Sequence, residues 1–159
     1  MALSRRDALS VEERAAASAA ICDAANALLA ERVVPRAVVA LYAAKGSEVD
    51  TSRMLMFHAV TLDELAPARF GLREPSADAP QVAVSDVAAF VVPGLAFDRA
   101  GGRIGWGRGH YDATFAAASP TALRVGLAYE CQLIDHVTPE PHDVALHILI
   151  TEATTYVVG

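Results

Sequence analysis

The sequence predicts an α/β fold: a three-layer α/β/α domain over residues 1–159 with a mostly parallel central sheet. Three observations predict it. Short apolar runs such as Ala37–Tyr42 and Val87–Val92 are apolar on both faces, as strands of a parallel sheet are. Segments with helical periodicity alternate with these runs, the order expected of layered α/β proteins. The chain has 159 residues, 53% hydrophobic and 20% charged, which suits one domain with a sizeable core.

Each element has a local cause. Ser10-Val11-Glu12-Glu13 is a capping box, in which the Ser10 side chain satisfies a free N–H and Glu13 reaches back. An alanine-rich helix follows to about Glu31, with Ile21, Ala24, Ala25 and Leu28 on one face, and Pro35 closes that region. Ala37–Tyr42 is the first buried strand, and Lys45-Gly46-Ser47-Glu48 starts the loop at its C-terminal end. Met54–Val60 reads as a second strand, although a parallel crossover needs about a dozen residues or more. The two runs must then be antiparallel, or not neighbours, or separated by something absent here. Residues 61–86 are rich in Pro, Asp and Ala and read as a structured surface connection. Val87–Val92 is the clearest buried strand, stopped by Pro93-Gly94, and a helix is expected from about Tyr111 to Ala118. Arg124–Tyr129 is another strand, and 147–151 with 154–158 form a terminal hairpin.

The most informative stretch runs from Gly101 to Asp112, where five glycines and two arginines precede an aspartate at the start of a helix. Glycine lets backbone N–H groups approach a ligand closely, and successive N–H groups at a helix start form an anion site. Arg103 and Arg108 add cations, and Asp112 adds a hard oxygen ligand of the kind Mg²⁺ prefers beside phosphates. Together they suggest a nucleoside triphosphate. The spacing of Gly105, Gly107 and Gly109 fits neither the Walker pattern nor the dinucleotide fingerprint, so a purely structural turn is the competing reading. Trp106 and Tyr111 either stack on a planar ring or pack. Pro139-Glu140-Pro141-His142-Asp143 is a rigid turn that would either stay solvated or bring Asp143 beside Asp112 as a second metal carboxylate. Glu48, at the end of a strand, is placed where open α/β sheets bind ligands, with an exposed loop acid as the alternative.

Other classes are disfavoured. A net charge of −6 argues against general nucleic-acid binding. Cys22 and Cys131 form no CxxC pair and read as buried, reduced thiols. None of the five histidines, His58, His110, His136, His142 and His147, forms a zinc motif. No run reaches membrane-span length and no signal core is present, so the expectation is a cytoplasmic monomer without membrane or nucleic-acid partners.

Val92-Pro93-Gly94-Leu95-Ala96-Phe97-Asp98 and the glycine stretch that follows resemble the PG-x-AFD-x-x-G-x-RLG-x-G-x-GYYD signature of the 5-formyltetrahydrofolate cyclo-ligases (methenyltetrahydrofolate synthetases). The resemblance extends to Arg14–Ser18, Gly46–Thr51, Phe70–Pro75, Val125–Tyr129 and Glu140–Asp143. It implies Mg·ATP-dependent conversion of 5-formyltetrahydrofolate to 5,10-methenyltetrahydrofolate, with release of ADP and phosphate. It also implies that Arg103, Ile104, Gly105, Trp106, Gly107, Arg108, Gly109, His110 and Tyr111 hold ATP, with Arg103, Arg108 and His110 acting in catalysis. Asp112 and Asp143 would hold Mg²⁺, and Glu48 the pterin of the reduced folate. Three departures stand out. His110 replaces a tyrosine, and a titrating ring there would tie activity to pH. The family's basic Lys-x-x-Leu-Arg start, a contributor to ATP binding, is not matched, since Arg5-Arg6 aligns with a later part of the helix. A helix and a strand are missing between Thr51 and Met54. The alternative reading is therefore a non-catalytic or regulatory nucleotide- or folate-binding relative impaired by those missing segments.

Overall fold

The computed structural model describes residues 1–54, 66–67, 73–74, 76–107 and 109–158. A short helix, α1 (Ala2–Asp7), precedes the long helix α2 (Val11–Arg32). α1 is not expected from the sequence, because its six residues are too few for a periodic signal. The capping box forms: Glu13 N–H donates to Ser10 Oγ at 3.1 Å, and Ser10 N–H donates to Glu13 Oε2 at 2.7 Å. Ile21, Cys22, Ala25 and Leu29 are buried, while Ala24 and Leu28 lie at the margin, so the buried stripe is rotated slightly from the expected one.

β1 (Val38–Ala40) follows, then the short antiparallel pair β2 (Ala66–Pro67) and β3 (Arg73–Glu74). The expected strand over Met54–Val60 lies, after Met54, outside the described residues. β4 (Val87–Val92) has the bounds expected of it. β5 (Ala96–Phe97) and β6 (Arg103–Ile104) pair antiparallel and lead to α3 (His110–Ala117). β7 (Leu123–Leu127), β8 (Ile148–Ile150) and β9 (Thr155–Val157) complete the chain. The main sheet has the order β1-β4-β7-β8-β9, parallel except for the last pair, which is the predicted terminal hairpin.

Alternation along the strands produces two cores. Ala89, Val91, Val125, Leu127, Ile148 and Ile150 point to one face and pack with Ile21, Cys22, Ala25 and Leu29 of α2. Phe90, Val92 and Leu149 point to the other and pack with Phe97 and Phe115, the latter from α3. Helices on both faces of a buried parallel sheet give the α/β/α layering. Cys22 is buried and Cys131 partly so, both free, and burial pushes the Cys22 thiol up to about 11. Among the described residues no helix is long and apolar enough to cross a membrane.

A pH response arises at the β7–β8 edge. The His147 ring faces two donors of Arg124: the Arg124 N–H donates to Nδ1 at 3.1 Å, and Arg124 Nη2 is 2.7 Å from Nε2. Burial, and then the Arg124 charge, lower the His147 pKa from 6.5. The unfolded chain therefore binds the proton more readily than the folded one. This contribution to stability is complete above 6.5 and is lost as pH falls through the depressed folded value. Urea midpoints measured from about pH 7.5 to about pH 5 should fall less steeply in His147→Gln than in the parent chain.

Candidate active site

The parallel strands β1, β4 and β7 deliver their following turns to one end of the sheet, the end where open α/β sheets bind ligands. The β1 connection carries Glu48, the β4 connection carries the glycine loop, and the β7 connection carries Tyr129–Gln132. α1 packs against that last segment, with Arg5 donating to the carbonyls of Cys131 at 2.7 Å and Leu133 at 3.0 Å.

The glycine loop is built on a buried carboxylate. Asp98 is 2% exposed; its Oδ1 accepts from the N–H groups of Ala100 (3.0 Å) and Gly102 (2.7 Å), and its Oδ2 accepts from Val137 N–H (2.7 Å). These bonds fix the turn that launches β6 and tie it to the loop after β7. The sequence reading did not single out Asp98, though an aspartate ahead of two glycines is a local turn signal.

Arg103 emerges from β6 and folds beneath the loop. Its Nη2 lies 3.6 Å from Asp112 Oδ2, and the two side chains are 9% and 22% exposed. Its guanidinium carbon lies 5.1 Å from the centre of the Tyr111 ring, a cation–π contact. A Cβ on Gly105 would sit 2.8 Å from Arg103 Nη1, so the glycine leaves room for the guanidinium to lie where it does. The buried Nε has no hydrogen-bond partner among the described residues. A guanidinium engaged by Asp112 and Tyr111, with a buried N–H left unpaired among the described residues, has a donor to offer an incoming acceptor.

The loop then enters α3 through Gly109, in the left-handed conformation at φ 61°. Among the described residues no side chain caps this helix, a start whose first N–H groups suit a ligand. Ile104, Trp106 and His110 face outward, with Trp106 59% exposed. Trp106 is thus free to stack on a ring. Tyr111 packs against Phe115, with ring centres 6.0 Å apart. Burial above all, with Glu48 adding and Arg103 opposing, pushes the Tyr111 hydroxyl up to about 12, so it stays protonated at neutral pH. Arg108 lies outside the described residues, as do His58 and Phe70–Leu72.

The acidic positions converge in part. Val144 N–H donates to Asp112 Oδ1 at 3.3 Å, so Asp112 grips the peptide that follows Asp143. Asp143 itself is exposed, and its Oδ2 accepts from Glu140 N–H at 2.7 Å. Among the described residues no three His, Cys, Asp or Glu side chains gather as a metal cage. Glu48 is 9% exposed, which corrects the picture of it as an exposed loop acid; its Oε2 accepts from Lys45 N–H at 2.9 Å.

Residues 32–152 match the profile of the 5-formyltetrahydrofolate cyclo-ligase family. This chain belongs to that family. The 5-formyltetrahydrofolate cyclo-ligase of Mycolicibacterium smegmatis is 41% identical over 87 residues, covering 54% of this chain and 45% of that one. The cyclo-ligase of Escherichia coli is 32% identical over 95 residues, covering 58% of this chain and 52% of that one. The matched stretches thus span about half the length of these curated relatives. The NMR structure of Aquifex aeolicus 5,10-methenyltetrahydrofolate synthetase superposes with a TM-score of 0.82 at 26% identity, covering 99% of this chain and 89% of that one. A Mycoplasma pneumoniae 5,10-methenyltetrahydrofolate synthetase, at 22% identity and a TM-score of 0.73, shares the fold. The signature residues of this cyclo-ligase-family chain, Gly94 to Asp112, are those that carry the buried Asp98 turn and the Arg103 clasp.

Proposed function

We propose that this chain converts 5-formyltetrahydrofolate to 5,10-methenyltetrahydrofolate, consuming ATP and releasing ADP and phosphate. A formyl oxygen on nitrogen is a poor leaving group, and phosphorylation makes it a good one. The formyl oxygen attacks the γ-phosphorus of ATP and ADP departs. The neighbouring secondary amine of the folate then adds to the activated carbon and gives up its proton. Phosphate leaves with the former formyl oxygen as the ring closes.

Phosphoryl transfer depends chiefly on positioning and on stabilising the spread negative charge. Arg103 is assigned to the polyphosphate, with the loop N–H groups from Ile104 through Tyr111 around it and Arg108 contributing a second cation. Trp106 is assigned to stack on a planar ring, and His110 to donate at the helix start. Asp112 and Asp143 would hold Mg²⁺. Two carboxylates suit an ion that keeps much of its shell as water and phosphate oxygen, and whose part is to neutralise phosphate charge. Glu48 is assigned to the pterin of the folate.

The observation that carries this reading is the nine-tenths-buried Arg103, clasped by Asp112 and Tyr111 yet with Nε unpaired among the described residues, close in sequence to a helix start that has no side-chain cap among them. The test is purified protein with Mg·ATP and 5-formyltetrahydrofolate, following the methenyl product by absorbance and ADP in parallel. Equal yields of the two are expected. Binding of both ligands without product would favour the non-catalytic alternative, which the half-length match to the relatives keeps in view.

A further inference from the structure

A second buried guanidinium stands outside these assignments. Arg6, on α1, is 3% exposed, and its ion-pair partner is the largely solvated Asp7, 3.8 Å from Nε. Burying a cation without a buried counter-charge is costly, so its hydrogen bonds must do something that a leucine could not. Its Nε donates to Ser47 Oγ at 2.9 Å, and its Nη1 reaches the Gly94 carbonyl at 3.4 Å. Ser47 Oγ in turn donates to the Asp7 carboxylate, so α1 grips this side chain twice.

The two acceptors belong to different parts of the site. Ser47 immediately precedes Glu48 in the turn after β1, and Glu48 N–H closes that turn on the Lys45 carbonyl at 3.2 Å. Gly94 lies in the turn after β4, where its carbonyl also accepts from Gln132 Nε2 at 2.8 Å. The Glu48 carbonyl accepts from the Tyr129 hydroxyl at 3.2 Å. Arg6 thus links the turn carrying Glu48 to the turn from which the signature begins.

We propose that Arg6 is a positioning residue for the folate: by spanning Ser47 and Gly94 it sets where Glu48 stands relative to the nucleotide loop. This rests on Glu48 being the folate-binding carboxylate. Only a guanidinium has the forked donors to span both acceptors, so lysine does not replace it. The nucleotide side is fastened separately, through Asp98 and Asp112, and stays intact when Arg6 changes.

The test is titration calorimetry of the full chain with 5-formyltetrahydrofolate and, separately, with Mg·ATP, for the parent chain, Arg6→Lys, Ser47→Ala and Glu48→Gln. Arg6→Lys and Ser47→Ala should each weaken folate binding roughly tenfold and leave Mg·ATP affinity within about twofold, with Glu48→Gln weakening folate at least as much. Ser47→Ala removes one acceptor while keeping the guanidinium itself, so it decides the matter if Arg6→Lys does not fold. Unchanged folate affinity in both, with Glu48→Gln impaired, overturns the positioning role alone. An equal loss for both ligands also overturns it, since that marks a general structural part. Unchanged affinity in Glu48→Gln, or no folate binding by the parent chain, overturns the Glu48 assignment and the positioning role with it.

Discussion

Arg103→Met should weaken Mg·ATP binding by about tenfold to a hundredfold, the loss of ~1.5–3 kcal/mol expected for hydrogen bonds to a charged group. The effect is large because the guanidinium is already oriented. The Asp112 carboxylate and the Tyr111 ring hold it in place, so little side-chain entropy is lost on binding. Lysine should not restore affinity, because one ammonium cannot meet Asp112 and a phosphate with the same geometry. Titration calorimetry with Mg·ATP measures this, and circular dichroism checks that the fold is kept. If Arg103→Met bound Mg·ATP as tightly as the parent chain, the nucleotide could not be lodged on this loop.

Asp98→Ala should be the most destabilising single change near the site, by ~3 kcal/mol or more. It would leave the N–H groups of Ala100, Gly102 and Val137 without their acceptors, and each buried orphan costs ~1–3 kcal/mol less whatever water recovers. For a chain of this size that corresponds to a fall in Tm on the order of 10 °C. Asp98→Asn should be milder, because its amide keeps one acceptor oxygen. A thermal melt compares the three proteins. Equal midpoints for Asp98→Ala and the parent would mean that the carboxylate does not hold the turn.

Legibility in the sequence followed the physics of each signal. β4 was readable because its residues are apolar along the whole run, the terminal hairpin because two runs rich in β-branched and aromatic residues flank a short turn, and α2 because Ser10 and Glu13 mark its start. The main elements of the glycine loop were readable too, since an arginine beside clustered glycines at a helix start has few structural uses. Three features were not. α1 is too short for periodicity, and its buried residues are Ala2 and an arginine, which no apolar pattern announces. β5 and β6 are two residues each and exist only because Asp98 and the Leu95 N–H, which donates to the Ile104 carbonyl at 2.7 Å, close the hairpin between them. The contrast between Trp106 and Tyr111 was equally hidden: spacing put both in the loop, and only the fold turns one to solvent and packs the other on Arg103 and Phe115. Asp112 was read as a metal ligand, and the fold adds its ion pair with Arg103.

The chain contains one tryptophan, and Trp106 stands 59% exposed in the middle of the glycine loop. Its fluorescence therefore reports on that loop alone. Titration with Mg·ATP should give a saturable change in emission with the same midpoint as calorimetry, and Arg103→Met should shift that midpoint to higher nucleotide. Calorimetric binding of Mg·ATP with unaltered Trp106 emission and an unaltered midpoint in Arg103→Met would contradict the account.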